Sequence, residues 1–382
     1  MLIGVPREIK NHEYRVGLTP AGVRELVALG HGVLVEQGAG RAIGLADAMY
    51  AQAGAELVAT PREIYERAAL IVKVKEPQPH ECDWLRTGQL LFTYLHLASD
   101  AALTRRLLAS GASCIAYETV TDARGALPLL APMSEVAGRM AIQAAAHHLE
   151  KARGGSGVLL GGVPGVAPAR VLVLGGGVVG VNAARIALGM GARVVVVDKS
   201  LARLRELDEL FGPQLTTLYS TVDAIERELA HADVVVGAVL IPGAAAPRLV
   251  SRAQLGLMQP GSVLVDVAID QGGCFETSRP TTHEDPAFVV DGIIHYCVAN
   301  MPGAVARTAT FALTNATLPY VLHLADKGLR ESLQRDAGFR AGLNIHGGQV
   351  TYAAIAELFG LPCTSAEAAL DMVIGNQVSV VR

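Results

Sequence analysis

The stretch Arg170–Asp198, RVLVLGGGVVGVNAARIALGMGARVVVVD, constrains the fold more than any other part of the chain. A short apolar run, Val171–Leu174, meets three consecutive glycines. Gly175, Gly177 and Gly180 form G-x-G-x-x-G, and a helix-like segment follows, ending near Gly189 or Gly191. A second apolar run, Val194–Val197, stops at an acid, Asp198. Strand, glycine turn, helix, strand and acid is the order of a dinucleotide-binding βαβ unit. Gly175 permits the tight turn, Gly177 lets backbone approach a pyrophosphate, and Gly180 lets the helix lie on the strand. The helix N-terminus offers free N–H groups and partial positive charge to phosphates. Asp198 stands where a carboxylate accepts hydrogen bonds from the adenosine ribose. A lone glycine motif would mean little among 41 glycines; the flanking strands and the closing acid set it apart from a plain glycine-rich turn.

The rest of the chain alternates in the same way. With 382 residues it can bury two cores. Only 4% of residues are aromatic, so Val, Leu, Ile and Ala build those cores, which suits buried parallel strands. Leu2–Val5 and Val33–Val35 read as strands, with a helix between them that Thr19 caps and Pro20 begins. Leu45–Ala53 and Pro61–Ala68 read as helices, Leu70–Lys75 and Gln89–Leu95 as strands. Asp100–Ala109 reads as a helix capped by Asp100 or Ser99, and Cys114–Tyr117 as a strand. Beyond the glycine turn come a helix, Leu201–Leu210, and strands at Thr216–Leu218, Val234–Gly237, Val263–Val267 and Ile293–Cys297. Met133–Lys151 and Thr308–Lys327 are long helical segments, and the tail Glu331–Arg382 is helical in composition. The expected fold class is α/β: two doubly wound Rossmann-like domains joined by long helices, with a substrate and cofactor cleft between them. Residues 1–130 plus 306–382 form the substrate (catalytic) domain and 131–305 the NAD-binding domain.

Several classes of function are excluded. The net charge is −4, from 32 basic and 36 acidic residues, with no long basic run, so nucleic acid is not the partner. No apolar run reaches the roughly 20 residues of a membrane span, and MLIGVPREIK lacks the pattern of a signal peptide. Five cysteines (Cys82, Cys114, Cys274, Cys297, Cys363) are scattered without a C-x-x-C pair. They encode neither a zinc ribbon nor a redox dithiol, no metal ligands are assigned, and they fit a reducing cytoplasm.

Open α/β sheets present ligands at the carboxyl ends of their strands, so polar residues there are the candidates for chemistry. Lys75 ends one apolar run; a lysine there can bind a carboxylate or polarise a carbonyl, and burial lowers its pKa. Lys73, two residues earlier, faces the same side of an extended strand, where it is either functional or solvent-facing. His96 ends the next run and suits general acid–base work, against the plainer reading of a satisfied core histidine. Arg15, in KNHEYRVGLTP, has the planar fork for an α-carboxylate, although a surface arginine is the commoner case. Asp270 follows Val263–Ile269 in the nucleotide half; it can orient water, hold an ammonium group or contact the nicotinamide ribose, or simply start the turn at Gly272-Gly273.

These residues lie in GVPREIKNHEYRVGLTP, VKVKEP, YLHLA, LLGGVPGVAPARVLVLGGGVVG, VDVAIDQGG and VANMPGAVARTAT, and through them the chain resembles the alanine dehydrogenase/transhydrogenase family over essentially its whole length. The resemblance implies reversible oxidative deamination of L-alanine by NAD⁺ and water to pyruvate, ammonium and NADH. By that resemblance Arg15 and Lys75 hold substrate, and His96 and Asp270 carry the acid–base work, with Lys75 counted among the catalytic residues. It also implies that Ser134, Asp198, Arg203, Ser220 and Asn300 line the NAD site beside Gly175, Gly177, Gly180, Val239, Leu240, Ile269, Val298 and Met301. A homohexamer is implied, with the C-terminal segment rejoining the N-terminal domain. Lys199 and Arg203 follow Asp198 closely and could accommodate a 2′-phosphate, but the acid repels one, so NAD is expected over NADP. The competing readings are a transhydrogenase nucleotide-binding domain, which exchanges hydride between nucleotides, and a non-catalytic NAD-sensing module.

Overall fold

Short apolar runs become strands in this protein because both of their faces are covered. A computed structural model of the chain describes residues 1–239 and 246–371. The chain divides into two compact units, Met1–Pro132 with Ala306–Arg382, and Met133–Val305.

The first unit is built on eight strands: β1 (Leu2–Val5), β2 (Gly32–Glu36), β3 (Glu56–Val58), β4 (Leu70–Val72), β5 (Leu90–Thr93), β6 (Ser113–Ala116) and, from the tail, β14 (Leu343–His346) and β15 (Gln349–Val350). Their order is β15-β14-β6-β5-β4-β1-β2-β3. Every residue of β4, β5 and β6 is buried, as a parallel sheet covered on both faces requires. The helix Pro20–Ala28 starts as its sequence dictates: Thr19 is the N-cap, accepting from Gly22 N, and Pro20 opens the first turn. At Ala101–Ser110 the cap is Asp100, whose Oδ1 accepts from Ala102 N and Leu103 N, both at 2.9 Å.

The second unit carries β7 (Arg170–Leu174), β8 (Arg193–Asp198), β9 (Leu215–Tyr219), β10 (Val234–Gly237), β11 (Val263–Asp266), β12 (Ala287–Val290) and β13 (Ile293–Tyr296). The order is β12-β13-β11-β10-β7-β8-β9, parallel except for β12. The helix Ala131–His148 lies against the helix Val178–Gly189, and a Cβ at Gly138 would come within 2.2 Å of the Val179 carbonyl oxygen. Glycine at 138 is therefore what allows backbone to meet backbone.

The structure alters three expectations. Both sheets are mixed rather than purely parallel, because β12 and β14 run antiparallel to their neighbours. The tail is not simply helical: Leu343–His346 pairs with β6, then turns at Gly347-Gly348, both with positive φ, into β15. Positive φ at two successive glycines closes a hairpin that composition alone does not show. The long C-terminal helix spans Ala306–Arg335, and its backbone breaks at Gly328 (φ 73°, ψ 175°), one residue after the end of the helical segment read at Thr308–Lys327.

Candidate active site

In the first unit the chain runs outward from β1 through β2 to β3, then returns to the other side of β1 at β4. The crevice beyond the carboxyl ends of β1 and β4 is thus a topological switch point, where α/β sheets bind ligands. Arg15 follows β1, Lys75 follows β4 and His96 follows β5. The three are near enough for the Lys75 and Arg15 charges to act on the His96 ring.

Arg15 is 2% exposed and clamped by Glu13. Its Nε donates to Glu13 Oε1 at 2.6 Å, a second guanidinium nitrogen donates to Oε2, and its backbone N–H reaches Oε1 at 3.1 Å. Burial alone would lower the arginine pKa, but the Glu13 carboxylate outweighs it and the net shift is upward. A buried guanidinium fixed in this way is a rigid, permanently charged feature.

Lys73 and Lys75 do not share a face, contrary to the reading of Leu70–Lys75 as one strand. The strand ends at Val72 and the chain bends, although Lys73 N still donates to the Phe92 carbonyl at 3.2 Å and the Val74 carbonyl accepts from Tyr94 N at 3.3 Å. On the β1 side the Glu8 carboxylate takes the place of a partner strand, accepting from Val74 N at 2.6 Å and Lys75 N at 3.3 Å. Lys73 turns inward, wholly buried, with its Nζ 2.9 Å from Glu81 Oε1 and 3.3 Å from Glu8 Oε2. Tyr65 Oη also donates to Glu81, at 3.1 Å. This paired lysine supports the loop rather than meeting a ligand. Lys75 stays half-buried, its pKa lowered first by burial and then by the Arg15 guanidinium.

His96 is not the last residue of a strand either, since β5 ends at Thr93. It adopts left-handed backbone angles, φ 49° and ψ 37°. A non-glycine residue held there costs on the order of 1–3 kcal/mol, and such strain concentrates at functional sites. The ring stacks on Tyr94, with centroids 5.7 Å apart and planes 15° from parallel. The surrounding protein, and after it the Lys75 ammonium, push the His96 pKa down to about 4. The imidazole is therefore neutral at neutral pH and ready to accept a proton.

The second unit has its own switch point, between β7 and β10. Gly175 takes φ 102°, and a Cβ there would strike Val239 Cγ2 at 2.8 Å and the Ala238 carbonyl oxygen at 2.9 Å. A Cβ at Gly180 would lie 1.8 Å from the Gly175 carbonyl oxygen, so the helix can touch the turn only because residue 180 is glycine. At Gly177 a Cβ would meet nothing within 4 Å, and no side chain caps the helix Val178–Gly189 that Gly177 begins. An open space over uncapped N–H groups fits a dinucleotide pyrophosphate.

Asp198 and Arg203 brace this turn. Asp198 Oδ2 accepts from Gly176 N at 2.7 Å and Oδ1 from Ser200 N at 2.8 Å. Arg203 Nε donates to the Gly176 carbonyl at 2.6 Å, while its Nη1 pairs with Glu206 at 2.5 Å. Arg203 is thereby committed to the turn and to Glu206. Each Asp198 oxygen retains a lone pair for a ribose hydroxyl. Asp198→Ala is expected to raise the NAD⁺ KM about tenfold or more, at ~1.5–3 kcal/mol for a hydrogen bond to a charged group, with the amino-acid KM within about twofold. Steady-state kinetics with each substrate varied in turn reads this; an unchanged NAD⁺ KM refutes the ribose assignment.

Ser220 follows β9, its N–H donating to the Asp198 carbonyl at 3.0 Å, and Ser134 is half-buried in the first turns of the helix Ala131–His148. Val298, Ile269 and Met301 are buried, and Asn300 takes φ 62°, its carbonyl 3.2 Å from His283 Nε2. Leu240 lies outside the described residues. Asp270 is exposed in the short 3-10 turn Ile269–Gln271, which follows β11 after its end at Asp266. The buried Asp266 carboxylate ties that loop, accepting from Ala268 N, Cys274 N, Phe275 N and Ser278 Oγ.

Four acids with evident roles, Glu8, Glu13, Glu118 and Asp266, are not among the residues singled out from sequence. Glu118 was within reach of the same rule that found Lys75 and His96, since it stands just past the carboxyl end of β6. Asp266 sits in an apolar run, and Glu13 is two residues from Arg15. Both patterns are too common to be informative without coordinates.

Comparisons with known proteins identify the family. The family model described as Alanine dehydrogenase/PNT, N-terminal domain, matches residues 4–137, and that described as Alanine dehydrogenase/PNT, C-terminal domain, matches residues 141–353. Alanine dehydrogenase of Halomonas elongata is 62% identical over 94% of this chain and 97% of its own length. That of Bacillus subtilis is 53% identical over 97% and 98%. A solved L-alanine dehydrogenase structure superposes with a TM-score of 0.92 at 51% identity, covering 94% of this chain and 99% of that one. A transhydrogenase from Sinorhizobium meliloti superposes with a TM-score of 0.79 at 25% identity, covering 93% and 100%.

Proposed function

The chain belongs to the alanine dehydrogenase/PNT family, and from that premise we propose how its residues divide the reaction. It is an NAD-dependent amino-acid dehydrogenase that converts L-alanine, NAD⁺ and water to pyruvate, ammonium and NADH, reversibly. The first unit binds and activates the amino acid; the second holds NAD. The observation that carries this reading is the grouping of Arg15, Lys75 and His96 past the ends of β1, β4 and β5.

When bound, NAD supplies a hydride acceptor. Arg15, fixed by Glu13, and Lys75 take the α-carboxylate, so that Cα–H is presented in one orientation. Loss of a proton from the α-ammonium to a base, together with loss of hydride from Cα, leaves an iminium. The neutral His96 imidazole and the Asp270 carboxylate carry the protons as water adds to that carbon and the carbinolamine collapses to ketone and ammonium. A half-buried lysine ammonium beside the same carbon also stabilises negative charge on the oxygen as the carbonyl forms. Ser134, Ser220, Asn300 and the apolar Val239, Leu240, Ile269, Val298 and Met301 are proposed to line the NAD site. In the reverse direction the proton transfers run backward through the same groups.

We also propose that the protein is cytoplasmic and self-associates, as a homohexamer by family resemblance. Among the described residues no helix is long and apolar enough to cross a membrane, and all five cysteines are free. Leu159, Val163 and Val166 are 65%, 53% and 63% exposed around a turn in which Val163 and Val166 exchange backbone hydrogen bonds. An apolar projection of that kind supports burial against another copy.

A panel of L-amino acids and 2-oxo acids with NAD and NADP tests the assignment. L-alanine and pyruvate are expected to give the highest kcat/KM, with NAD preferred because Asp198 disfavours a 2′-phosphate and Arg203 is engaged elsewhere. Preference for NADP, or for a large side chain, contradicts it.

A further inference from the structure

We propose that Glu118 is a positioning residue that holds His96 in its working orientation through the main chain. The proposal rests on the acid–base role given to His96 above. Glu118 lies in the 3-10 turn Tyr117–Thr119, directly after β6. Its Oε1 accepts from His96 N at 2.6 Å and from Leu95 N at 3.1 Å, and its Oε2 lies 3.2 Å from Leu95 N. One carboxylate thus gathers two consecutive N–H groups just where the β5 ladder has ended. His96 is left-handed at that point, a conformation uncommon for a residue other than glycine. The twist carries the imidazole out of the line of the strand and onto the Tyr94 ring, whose own hydroxyl is anchored to the Leu129 carbonyl at 2.6 Å.

The charges that act most on the imidazole are Lys75, Glu76, Lys10 and Arg15, so Glu118 works by fixing the peptide and not by its field on the ring. A catalytic imidazole displaced by about 1 Å loses rate by up to about 10²-fold, and that is the scale of effect expected here.

The test measures L-alanine oxidation by NAD⁺ for Glu118→Ala, Glu118→Asp and Glu118→Gln, each also combined with His96→Ala. Glu118→Ala is expected to lower kcat about 10- to 100-fold, with the NAD⁺ KM and NADH Kd within about twofold of the parent. Glu118→Asp, one methylene too short to reach both N–H groups, is expected to lower kcat by about tenfold, and it carries the test if the alanine variant does not fold. Glu118→Gln keeps an oxygen acceptor and is expected to recover at least about fivefold over Glu118→Ala or Glu118→Asp. In the His96→Ala background none of the three is expected to change the residual rate by more than about twofold, because the group being positioned is gone. An unchanged kcat in Glu118→Asp, a glutamine variant no better than the worse of the other two, or a full further loss on top of His96→Ala overturns the proposal. If His96→Ala itself keeps full turnover, the acid–base reading of His96 has failed instead.

Discussion

His96→Ala is expected to reduce kcat for L-alanine oxidation by about 10²–10⁴-fold while the NADH Kd stays within about twofold. The first half of that expectation comes from chemistry. Water must lose protons as it adds to the iminium carbon, and a general base within reach is worth that range. The neutral state of His96 follows from its surroundings, which hold its pKa near 4, well under the ordinary value of 6.5. The second half comes from where the residues stand. His96 belongs to the first unit, while Gly175, Gly177, Gly180 and Asp198 belong to the second. Isothermal titration with NADH, beside steady-state rates, separates the two effects. Parallel loss of binding and turnover in a folded variant contradicts an acid–base role.

Lys75→Met is expected to act on binding and on pH together. The methionine is similar in length but has neither the charge nor the donors. Removing a charge-assisted hydrogen bond to the carboxylate, ~1.5–3 kcal/mol, raises the alanine KM by roughly 10- to 150-fold, and kcat falls as well if the ammonium also meets the developing oxygen. The sign of the pH effect follows from the charges. The Lys75 ammonium lowers the His96 pKa, so taking it away raises that pKa toward 6.5. A histidine that must be neutral to accept a proton is then lost to protonation at higher pH. The acid limb of kcat/KM for alanine moves upward in pH, and an NMR titration of the His96 ring in the free protein moves with it. A variant whose alanine KM rises while the His96 titration stays where it was would show that the two side chains are not electrostatic neighbours.

How far the sequence could be read depended on whether each feature is local. The glycine turn is local: strand, turn, helix and acid lie within one βαβ unit, and their roles follow from steric rules that hold anywhere. Lys75 and His96 were singled out by the rule that ligands meet α/β sheets at the carboxyl ends of strands, and both do lie just past such ends, although β4 and β5 stop earlier than the apolar runs, at Val72 and Thr93. The run Leu70–Lys75 looked like one strand because nothing nearby reveals that Glu8, from beyond the end of β1, takes the place of the β1 partner after Val72. That distant carboxylate, together with Glu81, turns Lys73 inward into a buried ion pair, while Lys75 stays half-buried. The left-handed turn at His96 was equally hidden, since its N–H is held by Glu118 from the turn after the next strand. The tail strands β14 and β15 escaped because four apolar-to-polar residues before two glycines carry too weak a period to outweigh the helical composition around them. Arg15 was visible as a residue type, but its rigidity comes from Glu13, a contact that sequence spacing does not fix.

The most direct measurement is a time course with purified protein, L-alanine and NAD⁺, in which NADH, pyruvate and ammonium are quantified together. The account predicts that the three accumulate in equal amounts, and that L-alanine is required for NADH to form. A folded protein that binds NADH yet forms none from L-alanine, or that moves hydride between two nicotinamide nucleotides without consuming L-alanine, would contradict it.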